Sequence, residues 1–297
     1  VITKDDIAGA VQSHLRDIAS ELRPDILTAL KIAEQQEGCS QAAQILGMLI
    51  QNAELAACTG VPLCQDTGTV WVLLEAGAQV QVDMRGLQDA LDAVVADSFE
   101  QHHLRASTVR DALSDRSNPG TNAPVFLEFI QMSAKGDTSD HELRVHTMLK
   151  GAGSDNASSL TMLSPSSTEK DIVQLVVDLV RQKGSNACPP LIIGIGIGST
   201  FDKVAGLSKR ALLRSLGQSA RHDKTAQLEQ GILRQVNDIG LGPAGLGGDT
   251  TALAVHIETA PSHIASLPVA VNLCCHSLRS RSDILRADSF VSPYDIQ

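Results

Sequence analysis

A mixed α/β fold, with mixed sheets flanked by helices, is predicted by three observations. Stretches with helical periodicity and β-branched strand-like runs alternate along the chain, so neither an all-helical nor an all-strand architecture fits. The chain has 297 residues, 43% of them hydrophobic but only 2% aromatic, so its core is built from Ala, Val, Ile and Leu. That length supports a sizeable core. No internal repeat, low-complexity tract or linker interrupts it, so residues 1–297 read as one compact unit with room for two lobes.

The elements follow in order. Residues 4–58 read as helices, because "DIAGAVQSHLRDIASEL" and "AAQILGMLIQNAELAAC" carry apolar residues three and four apart. Between them "RPDILTALKIAEQQEG" enters on a proline and stops at Gly38. "VPLCQDTGTVWVLLEAGAQVQV" reads as a turn and then a strand, and "MRGLQDALDAVVADSFEQHH" as a helix. "NPGTNAP" is a loop. "VFLEFIQM" and "ELRVHTMLKG" read as neighbouring strands, and "GAGSDNASSL" as a loop. "STEKDIVQLVVDLVRQKG" is a helix capped by Ser167 or Thr168 and ended by Gly184. "CPPLIIGIGIGSTFDKVAGLSKRALLR" reads as a short strand, a glycine-rich turn and a helix. A helix at "TAQLEQGILRQVNDIG" and a glycine loop at "GLGPAGLGGDTT" lead to strands "ALAVHIETA" and "LPVAVNLCC". A short helix around "RSDILR" precedes an irregular tail.

Composition excludes several classes. A net charge of −10 with no basic run is wrong for a phosphate-backbone binder. Scarce aromatics leave no stacking platform for single strands. There is no apolar run of about 18 residues to span a membrane. The polar, amphipathic "VITKDDIAGAVQSHL" lacks the features of a secretory signal. Six cysteines in a chain this long form no disulfide framework; in a reducing cytoplasm they stay thiols, open to metal.

Two motifs bear on chemistry. "GIGIGSTFDK" resembles a dinucleotide fingerprint, but the third glycine of G-x-G-x-x-G is replaced by Ser199 and no acidic residue follows at the required distance. The plainer reading is backbone packed closely against another group, such as an anion at the following helix N-terminus. Cys64 in "PLCQDTG", Cys188 in "NACPPL" and Cys275 in "NLCCHS" each sit at a break in periodicity. Three isolated loop cysteines suit a [4Fe–4S] cluster with one iron left open; they also suit ordinary buried thiols. Cys39 and Cys58, in alanine-rich helical surroundings, read as structural.

"LCQDTGTVWV", "GAGSDNASSLTML", "NACPPLIIGIGIGSTFDKVAGLSKRALL" and "GLGPAGLGGDTTALAVHIETAPSHIASLPVAVNLCCHS" together resemble the alpha part of class I, iron–sulfur-dependent fumarate hydratases. The alpha subunit of L-tartrate dehydratase shares the pattern. The resemblance implies one catalytic domain over 1–297 and a cytoplasmic hydro-lyase acting on fumarate or a close dicarboxylate. It places the cluster ligands at Cys64, Cys188 and Cys275, with Cys274 a bystander. It implies Asp66 as proton carrier, His263 as a residue reaching the substrate, and Gln65 as a donor to a substrate carboxylate. The turn at Gly151, Ala152 and Gly153 would present backbone N–H groups to the same ligand. His256 and His276 read as structural or supporting.

Two departures stand out. Ala152 replaces a family glycine and is expected to restrict the backbone beside the ligand. Asp249 replaces a family lysine and is expected to place negative charge near a dianion. Single-chain members carry a further C-terminal domain that holds the second carboxylate, and this chain stops at Gln297. The resemblance therefore implies a beta subunit and an alpha–beta hetero-oligomer. A non-catalytic iron–sulfur protein is the competing reading; it has no need of Asp66 or His263.

Overall fold

The computed structural model describes residues 1–286. Along them run α1 (Lys4–Ser20), α2 (Pro24–Gln36), α3 (Ser40–Thr59), β1 (Thr69–Ala76), α4 (Leu87–Gln101), β2 (Phe126–Gln131) and β3 (Glu142–Lys150). Then come α5 (Ala152–Asn156), β4 (Ser159–Leu163), α6 (Glu169–Lys183), β5 (Leu191–Ser199), α7 (Phe201–Ala211), α8 (Asp223–Asn237), β6 (Ala252–Ser262), β7 (Leu267–Cys274) and β8 (Arg279–Arg286). The mixed α/β class is borne out. The chain divides into two compact units: Val1–Glu21, Cys64–Lys150 and the segment from Arg279 form one, Leu22–Leu63 and Gly151–Leu278 the other.

The first unit is built on a four-stranded mixed sheet in the order β2-β1-β3-β8. β1 runs parallel to β2 and antiparallel to β3, and β3 antiparallel to β8. Val70, Val72 and Leu74 project from one face of β1 onto Ile7, Val11 and Leu15 of α1 and Leu91, Val95 and Phe99 of α4. A capping box between Thr3 and Asp6 starts α1, satisfying N–H groups that the first turn leaves open. Two expectations change here. β2 and β3 are not neighbours: β1, buried on both faces, takes the central position between them. "RSDILR" is not a helix but the end of β8, paired in register with β3 from Glu142↔Arg286 to Leu149↔Arg279. Pairing to an open sheet edge outweighs the weak helical preference of so short a run. The tail expected after it lies outside the described residues.

The second unit carries a four-stranded sheet in the order β4-β7-β5-β6. The expected loop at 151–160 contains α5 and the start of edge strand β4, whose partners run Ser159↔Val271 to Leu163↔Leu267. The expected glycine-rich turn is also corrected: Gly194, Gly196 and Gly198 lie inside β5. Alternation explains the pattern. Leu191, Ile193 and Ile195 face the core formed with Ile172, Val176 and Val180 of α6 and Ile232 and Val236 of α8. The intervening glycines face α7. A Cβ at Gly194 would lie 2.2 Å from the Ser208 carbonyl oxygen, and one at Gly196 2.5 Å from that of Val204. What packs closely against this backbone is a helix. Thr168 caps α6 through a capping box with Asp171, as the sequence suggests, and Gly184 ends it.

His256 sits on β6, 3% exposed, and its Nδ1 donates to the Ala211 carbonyl at the end of α7. Burial, then the nearby Arg214 cation, pushes its pKa down to about 4. The unfolded chain, with an ordinary histidine near 6.5, binds this proton more readily than the native state does. Stability is therefore full above about pH 6.5 and falls as pH drops toward 4, by about 3 kcal/mol from this residue alone. Denaturant titrations from pH 7 to pH 4 should show a shallower loss in His256→Gln than in the parent; identical slopes would remove His256 as the cause.

Candidate functional site

The "CQDTG" turn belongs to the first unit and leads into β1. Several contacts fix it. The Asp66 carboxylate accepts from the Gly68 N–H at 3.0 Å, closing an Asx turn around Gly68, whose φ is +77°. The Thr67 hydroxyl donates to the Arg105 carbonyl. The fully buried Asn122 donates from Nδ2 to the Gly68 carbonyl at 3.1 Å, while its Oδ1 accepts from the Ser107 and Thr108 N–H groups. Arg279 donates from Nη2 to the Asp66 carbonyl at 2.8 Å. Cys64 and Asp66 are half-buried on this turn and Gln65 is exposed. The turn also draws in Arg105, an exposed cation.

Cys188 and Cys275 belong to the second unit and lie at one end of its sheet. Cys188 precedes β5, and Cys275 follows β7, whose last residue Cys274 pairs with Ile192. His276 ties the two together: its backbone N–H and its Nδ1 both reach the Cys188 carbonyl, at 3.4 and 3.1 Å. Since a carbonyl only accepts, Nδ1 carries the proton. Cys188 is exposed and has φ 52°, ψ 68°, a left-handed backbone that costs a non-glycine residue about 1–2 kcal/mol. Such an outlier, held against its own preference, points to a functional constraint. Cys274 is 2% exposed within the core, whereas Cys275 is half-buried, its Sγ 3.1 Å from the Ser277 hydroxyl. Cys39 and Cys58 are exposed, at the two ends of α3.

The Gly151–Gly153 turn lies beside the Cys188 segment: a Cβ at Gly153 would meet the Asn186 carbonyl oxygen at 3.1 Å. Gly151 is extended, with φ −69°, and Ala152 is the first residue of α5. No left-handed backbone occurs at these three positions, so the alanine is accommodated without strain. Asp249 has a structural partner. Its carboxylate accepts from the Gly38 N–H at 3.1 Å, and Glu37 accepts from the N–H groups of Asp249 and Thr250 at 2.8 and 3.0 Å. The exchange pins the glycine loop to the junction of α2 and α3.

His263 stands apart. It lies in the exposed turn between β6 and β7, where its Nδ1 accepts from the Ala265 N–H at 3.1 Å. The neutral ring therefore carries its proton on Nε2. β5 pairs Ser199 with Ser262 at this end and Ile192 with Cys274 at the other. Seven residues of strand separate them, about 23 Å at the usual rise. Within one copy, His263 and the Cys188–Cys275 pair occupy opposite ends of the sheet.

A family model described as fumarate hydratase (Fumerase) matches residues 8–283. The chain belongs to the fumarate hydratase family. It is 35% identical over 287 residues to a Methanocaldococcus jannaschii protein, covering 95% of this chain and 99% of that one. The name of that relative, L(+)-tartrate dehydratase subunit alpha, is itself provisional. It is 28% identical over 271 residues to L(+)-tartrate dehydratase subunit alpha of Escherichia coli K12, covering 91% of this chain and 88% of that one. Fumarate hydratases of this iron–sulfur class are hydro-lyases, and the alpha designation of these relatives implies a second subunit.

The donor chemistry fits the family's cluster. Thiols are soft ligands suited to iron–sulfur clusters and zinc, not to magnesium or calcium. A closed structural zinc site takes four ligands, and the three cysteines the family motif selects leave one position open. Among the described residues, no three His, Cys, Asp or Glu side chains within either unit converge as a ready metal site. The motif cysteines are divided, one in the first unit and two in the second. No described helix is long and apolar enough to cross a membrane.

Proposed function

We propose that the chain is the alpha subunit of a cytoplasmic [4Fe–4S]-dependent hydro-lyase that adds water to, or removes it from, a four-carbon dicarboxylate. Cys64, Cys188 and Cys275 supply the thiolates. The observation that carries the reading is the strained Cys188, held beside Cys275 through His276. Neither the backbone strain nor the doubled hydrogen bond to one carbonyl is needed by an ordinary core thiol.

When bound, a cluster with one iron lacking a protein ligand supplies a Lewis acid to the substrate's oxygen atoms. The chain's own residues do the rest. Hydration of fumarate adds OH to one alkene carbon and H to the other; dehydration returns both as water. Asp66, two residues from Cys64, would move the proton of the departing or entering hydroxyl. Gln65 offers an amide N–H, and the Gly151–Gly153 turn its backbone, to a carboxylate. His263 can donate from Nε2; its place at the far sheet end means that it would serve this substrate from a second copy of the chain. Arg105 is one cation beside the turn. The remaining charge of a dianion calls for cations from a beta subunit, since this chain carries −10 overall.

Fumarate is the leading substrate on the "GGDTTALAVHIETAPSHIASLPVAVN" segment. L(+)-tartrate is the second reading, favoured by the names of the relatives. The test is anaerobic: the chain is assayed alone and with its beta subunit against fumarate and L-tartrate side by side. Activity only in the complex is expected. Ordinary turnover by the isolated chain would contradict the divided site, and no turnover of either diacid by the complex would contradict the reaction class.

A further inference from the structure

Arg279 opens β8 and is 2% exposed. One arm of its guanidinium is used, Nη2 donating to the Asp66 carbonyl. Its Nε and Nη1 are buried and have no hydrogen-bond partner among the described residues. Among the described residues no carboxylate pairs with it. A buried cation with two idle donors is among the costliest arrangements a fold can hold, and one that persists is normally balanced by something. The turn that this contact fixes is the one carrying Cys64.

We infer that Arg279 is a positioning residue for the Cys64–Asp66 turn and the buried counter-charge of the anionic group bound there. Its Nη2 sets the backbone from which Cys64 and Asp66 project. Its remaining N–H groups and its charge offset a thiolate-held iron–sulfur cluster, which is anionic. The second part rests on the proposed cluster; the first is a property of the chain alone. An arginine that only fills the core would predict no selective loosening of the turn, and one that only holds the turn would predict no charge dependence of cluster uptake.

The test uses the full chain as Arg279→Gln and Arg279→Lys, with two readouts. In the cluster-free chain, amide hydrogen exchange at 64–68 is compared with that of β1 in the same molecule. The glutamine variant should exchange about tenfold or more faster at the turn with β1 unchanged. After anaerobic reconstitution, iron content should fall in Arg279→Gln and recover in Arg279→Lys, which restores the charge but not the planar fork. Parental exchange at 64–68 would overturn the positioning role, and parental iron content in Arg279→Gln the counter-charge role. If the glutamine variant does not fold, the lysine variant is read by the same ratio. Loss of β1 protection in both would overturn a local role. A parent chain that takes up no iron would defeat the cluster reading while the exchange comparison still judged Arg279.

Discussion

Asp66→Asn is expected to lower kcat by about 10²–10⁴-fold while cluster content and substrate binding are retained. The amide has nearly the shape of the carboxylate and can still accept from the Gly68 N–H, the bond that closes the turn. What it loses is the exchangeable proton. The turn is also held from outside Asp66's side chain, by Asn122 on the Gly68 carbonyl and Thr67 on the Arg105 carbonyl. A large kcat defect with unchanged iron and KM therefore separates proton transfer from loop geometry. Unchanged turnover would reduce Asp66 to a turn residue.

Cys275→Ser is expected to abolish cluster binding, and with it activity, while Cys274→Ser is expected to keep the cluster at a cost in stability. The two thiols are adjacent in sequence but not in environment. β7, buried on both faces, ends on Cys274, which is 2% exposed. Cys275 leaves the strand on the side of His276 and Cys188. A serine hydroxyl at 274 would be buried, at a cost of about 1–3 kcal/mol if unpaired. At 275 the same change would remove one of the three proposed soft ligands. Iron and acid-labile sulfide in both variants read the difference. Cluster loss in Cys274→Ser with retention in Cys275→Ser would shift the ligand by one residue.

The sequence carried the long elements well, because α1, α3, α4, α6 and α8 bury one face and so show it as periodicity. It misread features whose meaning lies in a distant partner. The glycines of β5 look like a turn until α7 is seen lying against them. "RSDILR" is too short to declare its period, and only pairing with β3 makes it a strand. Of the site, the cysteines, Asp66 and Gln65 stand in a recognisable motif. Asn122, Arg105 and Arg279 do not, since each acts on or through a main-chain carbonyl far away in sequence. The Ala152 and Asp249 departures looked disruptive on paper, yet the backbone at 152 is helical and Asp249 is bonded to Gly38.

An iron–sulfur cluster held on Cys64, Cys188 and Cys275 is what the proposed chemistry depends on. The most direct measurement is iron and acid-labile sulfide per chain after anaerobic reconstitution, with zinc determined in the same sample. About four irons and four sulfides are expected, lost on exposure to air because one iron would lack a protein ligand. Stoichiometric zinc with no iron would contradict it.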